Sequence, residues 1–154
     1  MKILPLGAFV WTKFPFGDPP EARSRPGPVR HIAYHLGSDT GLVLLAYTSS
    51  GSWRGTGVSR PPGIVEFDVA EAGRVNQKPF HIDLRTLAKV TLTLDWFPDW
   101  AAGGHGVVAV AGADVQRRVP EAARLLGARM ETIEVRGIGS DSTTVRTRTE
   151  RDRD

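Results

Sequence analysis

Four short groups have residue types that could do chemistry: Arg25 beside Pro26, the adjacent hydroxyls Thr48-Ser49, the pair His81 and Asp83, and Arg85-Thr86 just after it. Successive side chains of a strand alternate in direction, so His81 and Asp83, two apart, would project from one face. A carboxylate at that range can orient or ionise an imidazole, which makes the two an acid/base pair. Two such residues alone are more often a structural hydrogen bond. Arg25 ends a loop and carries a planar cation matched to phosphate oxygens, although most loop arginines, Arg23 and Arg30 among them, are simply solvated. Hydroxyls at a strand end, likewise, are more often turn-formers than catalysts. A nuclease that works without a metal must stabilise a phosphorane with Arg, Lys or His, and those residue types are present here.

Short strands must position these groups. Glycine and proline cut the 154-residue chain into pieces too brief for alternating strand-helix units. Strands are expected at about Gly7–Phe14, Val29–Leu36, Leu42–Thr48, Gly63–Asp68, Lys78–Asp83 and Leu87–Leu94. The last alternates cleanly, with Ala88, Val90, Leu92 and Leu94 on one side. After Trp100 a glycine joint leads to a short strand, Val107–Ala111, and a helix from Pro120 to Leu126, with proline in its first turn and Gly127 at its end. Val119, Ala122, Ala123 and Leu126 share its apolar face, and Met130–Arg136 alternates as a closing strand. Residues 1–136 form one domain on this reading, with an extension from about 101. From Gly137 the chain has almost nothing apolar to bury and is expected to be a disordered polar tail.

Composition narrows the function. There is no cysteine, hence no disulfide, thiol nucleophile or zinc-thiolate site. No apolar run approaches the roughly 20 residues that span a bilayer, and the interrupted N-terminus does not read as a signal peptide, so a soluble, cytoplasmic protein is expected. A net charge of +3, carried almost wholly by arginine, leans mildly toward nucleic acid. Trp53 and Arg54 lie in a long polar, glycine-rich connection and have the chemistry to stack on a base and hold a phosphate; a mobile loop whose Trp folds back is equally consistent. His31 and His35, four apart, would sit about 13 Å from each other along a strand, too far to share a metal ion. No cofactor is expected.

The order of these pieces resembles the MazF/PemK/Kid-type toxins of toxin–antitoxin pairs. A strand ends in the turn Phe14-Pro15-Phe16-Gly17-Asp18, a loop ends in Arg25-Pro26, a strand ends in Thr48-Ser49, a glycine-rich loop ends in Arg54-Gly55-Thr56-Gly57, and Asp83 precedes Arg85-Thr86. The likeness covers roughly Leu6 to Leu92. This chain departs from the pattern at Gly7-Ala8, where the family opens Gly-Asp, at Pro28, which interrupts the aliphatic run after Arg-Pro, and at His81, which replaces an Arg.

The resemblance implies a mainly β fold, a small SH3-like curved barrel of the MazF/CcdB type with an added C-terminal helix, assembled as a homodimer and inhibited by a cognate antitoxin protein. The implied activity is metal-independent cleavage of single-stranded RNA. The 2′-oxygen attacks the adjacent phosphorus and leaves a 2′,3′-cyclic phosphate and a 5′-hydroxyl. Arg25 and Thr48 would stabilise the phosphorane, His81 and Asp83 would move protons, and Ser49, Trp53, Arg54 and Arg85 would bind RNA. Two alternatives stay open: a CcdB-like toxin that binds a protein and cuts nothing, and an RNA- or protein-binding module on the same fold.

Overall fold

The computed structural model describes residues 4–15, 30–39, 41–50, 61–67, 75, 79–102, 106–136 and 144–149. The fold is mainly β. Strands β1 (Ala8–Thr12), β2 (His31–Asp39), β3 (Leu42–Ser50), β4 (Ile64–Phe67), β5 (Phe80–Thr91) and β6 (Val107–Val110) precede helix α1 (Ala113–Leu126), which is followed by β7 (Glu131–Arg136) and β8 (Thr144–Thr149). They make one sheet in the order β6-β1-β2-β3-β5-β7-β8, with β4 also paired to β5. All neighbours run antiparallel except β5 and β7.

Alternation along the strands feeds two cores, one on each face. Val10, Ala33 and Leu45 join Phe14, Val43, Val90, Trp96 and Phe97 in the first. Their chain neighbours Phe9, Tyr34 and Ala46 join Phe67, Phe80, Ile82 and Leu84 in the second. A sheet buried on both faces loses water from nearly every side chain of its central strands, and this burial is the main driving force for folding. Phe9 meets Tyr34, Phe67 and Phe80 edge-on, with ring centroids 5.2, 6.0 and 5.6 Å away, the arrangement aromatic quadrupoles favour.

The segments read from sequence as two strands, Lys78–Asp83 and Leu87–Leu94, are one twelve-residue strand, β5. Its register against β3 jumps at its middle: Tyr47 pairs with Asp83, but the next residue back, Ala46, pairs with Leu87. Leu84, Arg85 and Thr86 are extra residues on β5, and the jump flips the parity of the strand. Ile82 and Leu84 therefore point into the second core with Leu87, while Ala88 and Val90 point into the first. Leu94, expected to share the face of Val90, lies beyond the strand and is 50% exposed.

Helix α1 is longer than its sequence signals. It begins at Ala113, and Pro120 lies inside it instead of in its first turn. Proline removes one backbone hydrogen bond and usually bends a helix. Here Val115, Val119 and Leu126 form a buried stripe with Ala122 and Ala123 packed beside it, so burial against the second core carries the helix through the proline. Leu126 also covers Gly63, which has φ +91; a Cβ there would lie 2.6 Å from Leu126 Cδ2. A side chain at position 63 would be strained twice, by the backbone and by the helix.

The C-terminal segment also departs from expectation. Thr144–Thr149, assigned from composition to a tail without structure, is β8 and pairs with β7 from Glu131 to Arg136. A strand that adds to an existing edge needs backbone partners more than apolar side chains, and composition does not report backbone pairing. No helix among the described residues is long and apolar enough to cross a membrane.

Candidate functional site

Antiparallel pairing brings the end of β1 beside the start of β2, the end of β3 beside that same start, and the start of β5 beside the end of β3. The four strand ends frame a cleft of about 240 Å³. Trp11, Arg30, His31, Tyr47, Thr48 and Ser49 line it, with Ile32, Val75 and Phe80 as its apolar floor. Because it wraps round the strand ends, it takes residues from both faces of the sheet.

Among the described residues its guanidinium is that of Arg30. The guanidinium lies 5.1 Å from the centre of the Trp11 ring, within cation–π range, and is ion-paired with Asp99 of the 3-10 turn Pro98–Ala102. His31 meets the Tyr47 ring edge-on at 6.2 Å. Tyr47 in turn packs against Phe14 at 5.9 Å, which ties that wall of the cleft to the first core. Thr48 is nearly buried, and its hydroxyl donates to the carbonyl of Ile32 across the β2–β3 ladder. That proton is committed; the oxygen can still accept a bond.

Of the residues singled out from sequence, Thr48 and Ser49 come to the cleft. His81 and Asp83 do not line it. They share a face, as their spacing requires, but it is the face opposite Thr48, because Thr48 pairs with Ile82. Their strand neighbours on that face are Ser49, level with His81, and Tyr47, level with Asp83.

Asp83 is held by Arg85. The arginine Nε donates to Oδ1 at 2.9 Å and a terminal nitrogen to Oδ2 at 2.7 Å, and the Arg85 backbone N–H donates to Oδ1 at 3.0 Å. The hydrogen bond to Asp83 raises the Arg85 pKa above its ordinary value. Arg85, expected to bind RNA, is thus engaged within its own strand. Arg25, Trp53 and Arg54 lie outside the described residues, as do the Phe16-Gly17-Asp18 end of the first turn and the loop end Arg54-Gly55-Thr56-Gly57. In sequence Arg25 is five residues before Arg30, and Trp53 is four after Ser49, so both segments attach to strand ends that frame the cleft.

Trp11, Arg30, His31 and Tyr47 were not selected as site residues from sequence. Trp11, His31 and Tyr47 are ordinary in their own strands, and Arg30, expected to be simply solvated, directly precedes β2; only the register of β1, β2 and β3 brings them together. Among the described residues no cluster of three or more His, Asp or Glu side chains is placed to hold a metal ion. Against the profiles of known protein families, the curated proteins and the solved structures, the chain has no match.

Proposed function

We propose that this protein is an endoribonuclease that cleaves single-stranded RNA, of the MazF/PemK/Kid kind its sequence resembles, built on that family's curved barrel and acting as a homodimer restrained by an antitoxin. The cleft at the strand ends is the observation that carries the reading. It sets a guanidinium, an imidazole, three hydroxyls and three aromatic side chains around a space that suits a nucleotide, the combination single strands are bound by. In this reading Arg25, in the segment before β2, neutralises the phosphorane and Ser49 contacts the phosphate, while Thr48, on the opposite face with its proton given to the Ile32 carbonyl, braces the cleft wall. The 2′-oxygen displaces the 5′-oxygen and leaves a cyclic phosphate.

The test is purified protein with a long single-stranded RNA in EDTA, followed by mapping of the ends. Cyclic phosphate and 5′-hydroxyl ends are expected, and Arg25→Ala should lower turnover about 10²–10³-fold, the loss found when one preorganised donor to a charged transition state is removed. Cleavage that stops in EDTA and returns with Mg²⁺ would refute the assignment.

A second reading is an RNA-binding module that does not cut. It is favoured by the Thr48 hydroxyl donating to Ile32 and by the closed Asp83–Arg85 pair, since both commit groups that cleavage would use. Tight binding of a single strand with intact ends would select it.

A further inference from the structure

Across the strand ends that frame the cleft, one row of side chains has a composition that the expected catalytic set does not account for. Ser49 pairs with His81, and His81 pairs on its other side with Glu66 of β4. On the far side of Ser49, Ala33 pairs with Tyr47, so His31, two residues before Ala33, comes level with Ser49. His31 is itself paired with Thr12 of β1. The row therefore reads Thr12, His31, Ser49, His81, Glu66 over five adjacent strands, all on one face. The edge-on contact of His31 with Tyr47, which shares that face with Asp83, places the His31 ring on it directly.

We propose that His31 and His81 are the proton-transfer pair of this site, with the phosphate held between them at Ser49. The inference rests on the endoribonuclease reading and names its acid and base. Neighbouring strands stand about 4.8 Å apart, so two histidines flanking one strand have Cα atoms roughly 10 Å apart. Two imidazoles turned toward Ser49 from that distance would leave a gap of about the size of a phosphate. Ser49 and His31 both line the cleft, which gives RNA access to the row from the strand ends. His81 does not line the cleft and is only 7% exposed, so in this proposal the phosphate sits on its Ser49 side.

The step balances without any added reactant. One imidazole takes the proton of the 2′-hydroxyl as the O2′–P bond forms. The P–O5′ bond breaks, and the electron pair left on O5′ takes a proton from the other, protonated imidazole. Proton exchange with water restores both rings. Among the described residues Glu66 beside His81, Asp83 one row along and the Asp83-bound Arg85 are the charged groups on the His81 side of the row; the Tyr47 ring meets His31, the hydroxyl of its partner Thr12 donates to the Trp96 carbonyl, and Arg30 precedes His31 in the chain.

An acid and a base acting together give a bell-shaped dependence of kcat/KM on pH, each limb belonging to one group. The experiment is cleavage of single-stranded RNA in EDTA from pH 5 to 9 by the parent protein, His31→Gln and His81→Gln. Binding of a non-cleavable 2′-O-methyl RNA is measured alongside. Each variant should lose one limb of the bell and about 10²–10⁴-fold in kcat, while RNA affinity changes little. His31→Ala should regain activity with added free imidazole, and this arm decides the proposal if His81→Gln does not fold. A parent that cleaves, with a folded variant that keeps its rate and both limbs, or a His31→Ala that imidazole does not rescue, overturns the pair and leaves the nuclease reading standing. A parent that does not cleave overturns both.

Discussion

Thr48 stands level with Ile82 across the β3–β5 ladder, so its side chain leaves the sheet on the face of the second core while that of Ser49 leaves on the other. Two adjacent hydroxyls that look like one feature in sequence thus serve two places. Thr48 ties β3 to β2, and Ser49 joins the row of histidines.

Thr48→Val should therefore act first on stability. It removes the donor to the Ile32 carbonyl in a nearly buried position. A loss of about 1–2 kcal/mol is expected from one unmade hydrogen bond of this kind. Thr48→Ser, which keeps the donor, should recover most of it. Urea unfolding of the three proteins is the measurement, and an unchanged Thr48→Val midpoint would show that the bond contributes nothing.

Asp83→Asn opens the bidentate pair with Arg85, whose side chains are 16% and 42% exposed. Solvent screens the arginine end, so the coupling should be small, about 0.5–1 kcal/mol in a double-mutant cycle with Arg85→Ala. A coupling near zero would mean the pair only fixes the conformation of the bulge.

His35 is a stronger structural residue than its neighbours in sequence suggest. It is fully buried; Nδ1 is 2.7 Å from the Pro5 carbonyl, and Nε2 is 2.9 Å from both the Gly37 carbonyl and the Ser38 hydroxyl. The ring therefore joins the segment before β1 to the irregular middle of β2. His35→Ala should cost about 2–4 kcal/mol, through the lost bonds and the space left behind. A thermal scan showing parent-like stability would contradict this role.

Alkaline pH should weaken the fold through Tyr34. Burial in the second core pushes its phenol pKa up from the ordinary 10.0, so the folded state favours the neutral form. For an acid raised on folding, the contribution is complete below the unfolded value and is lost as pH climbs through the folded one. Unfolding midpoints should fall above pH 10 in the parent and fall less in Tyr34→Phe. Parallel curves for the two proteins would remove Tyr34 as the cause.

Much of the architecture can be read from residue order alone. Alternation and Gly/Pro punctuation locate β1, β2, β3, β4, β6 and β7 to within a few residues, because those signals are local: each strand's period-2 pattern is set by its own two faces. The apolar stripe of α1 is legible for the same reason, at a period of 3.6, while its start is not, since Pro120 reads as a beginning until packing of Val115 and Val119 shows the helix already running. The spacing of His81 and Asp83 correctly puts them on one face. It says nothing about which residues of other strands share that face. That depends on register, a non-local property: a shift of one residue moves a whole strand's side chains to the other side. Register, and the extra residues Leu84, Arg85 and Thr86 that change it halfway along β5, separated Thr48 from His81 and aligned His31, Ser49, His81 and Glu66. Backbone pairing likewise decided β8, whose composition alone argues for no structure. The sequence by itself thus determined most of the strand segments and the chemistry they carry; only the tertiary structure, through hydrogen-bonded register between distant segments, decided the pairing of β8, the continuity of β5 and which of those groups meet.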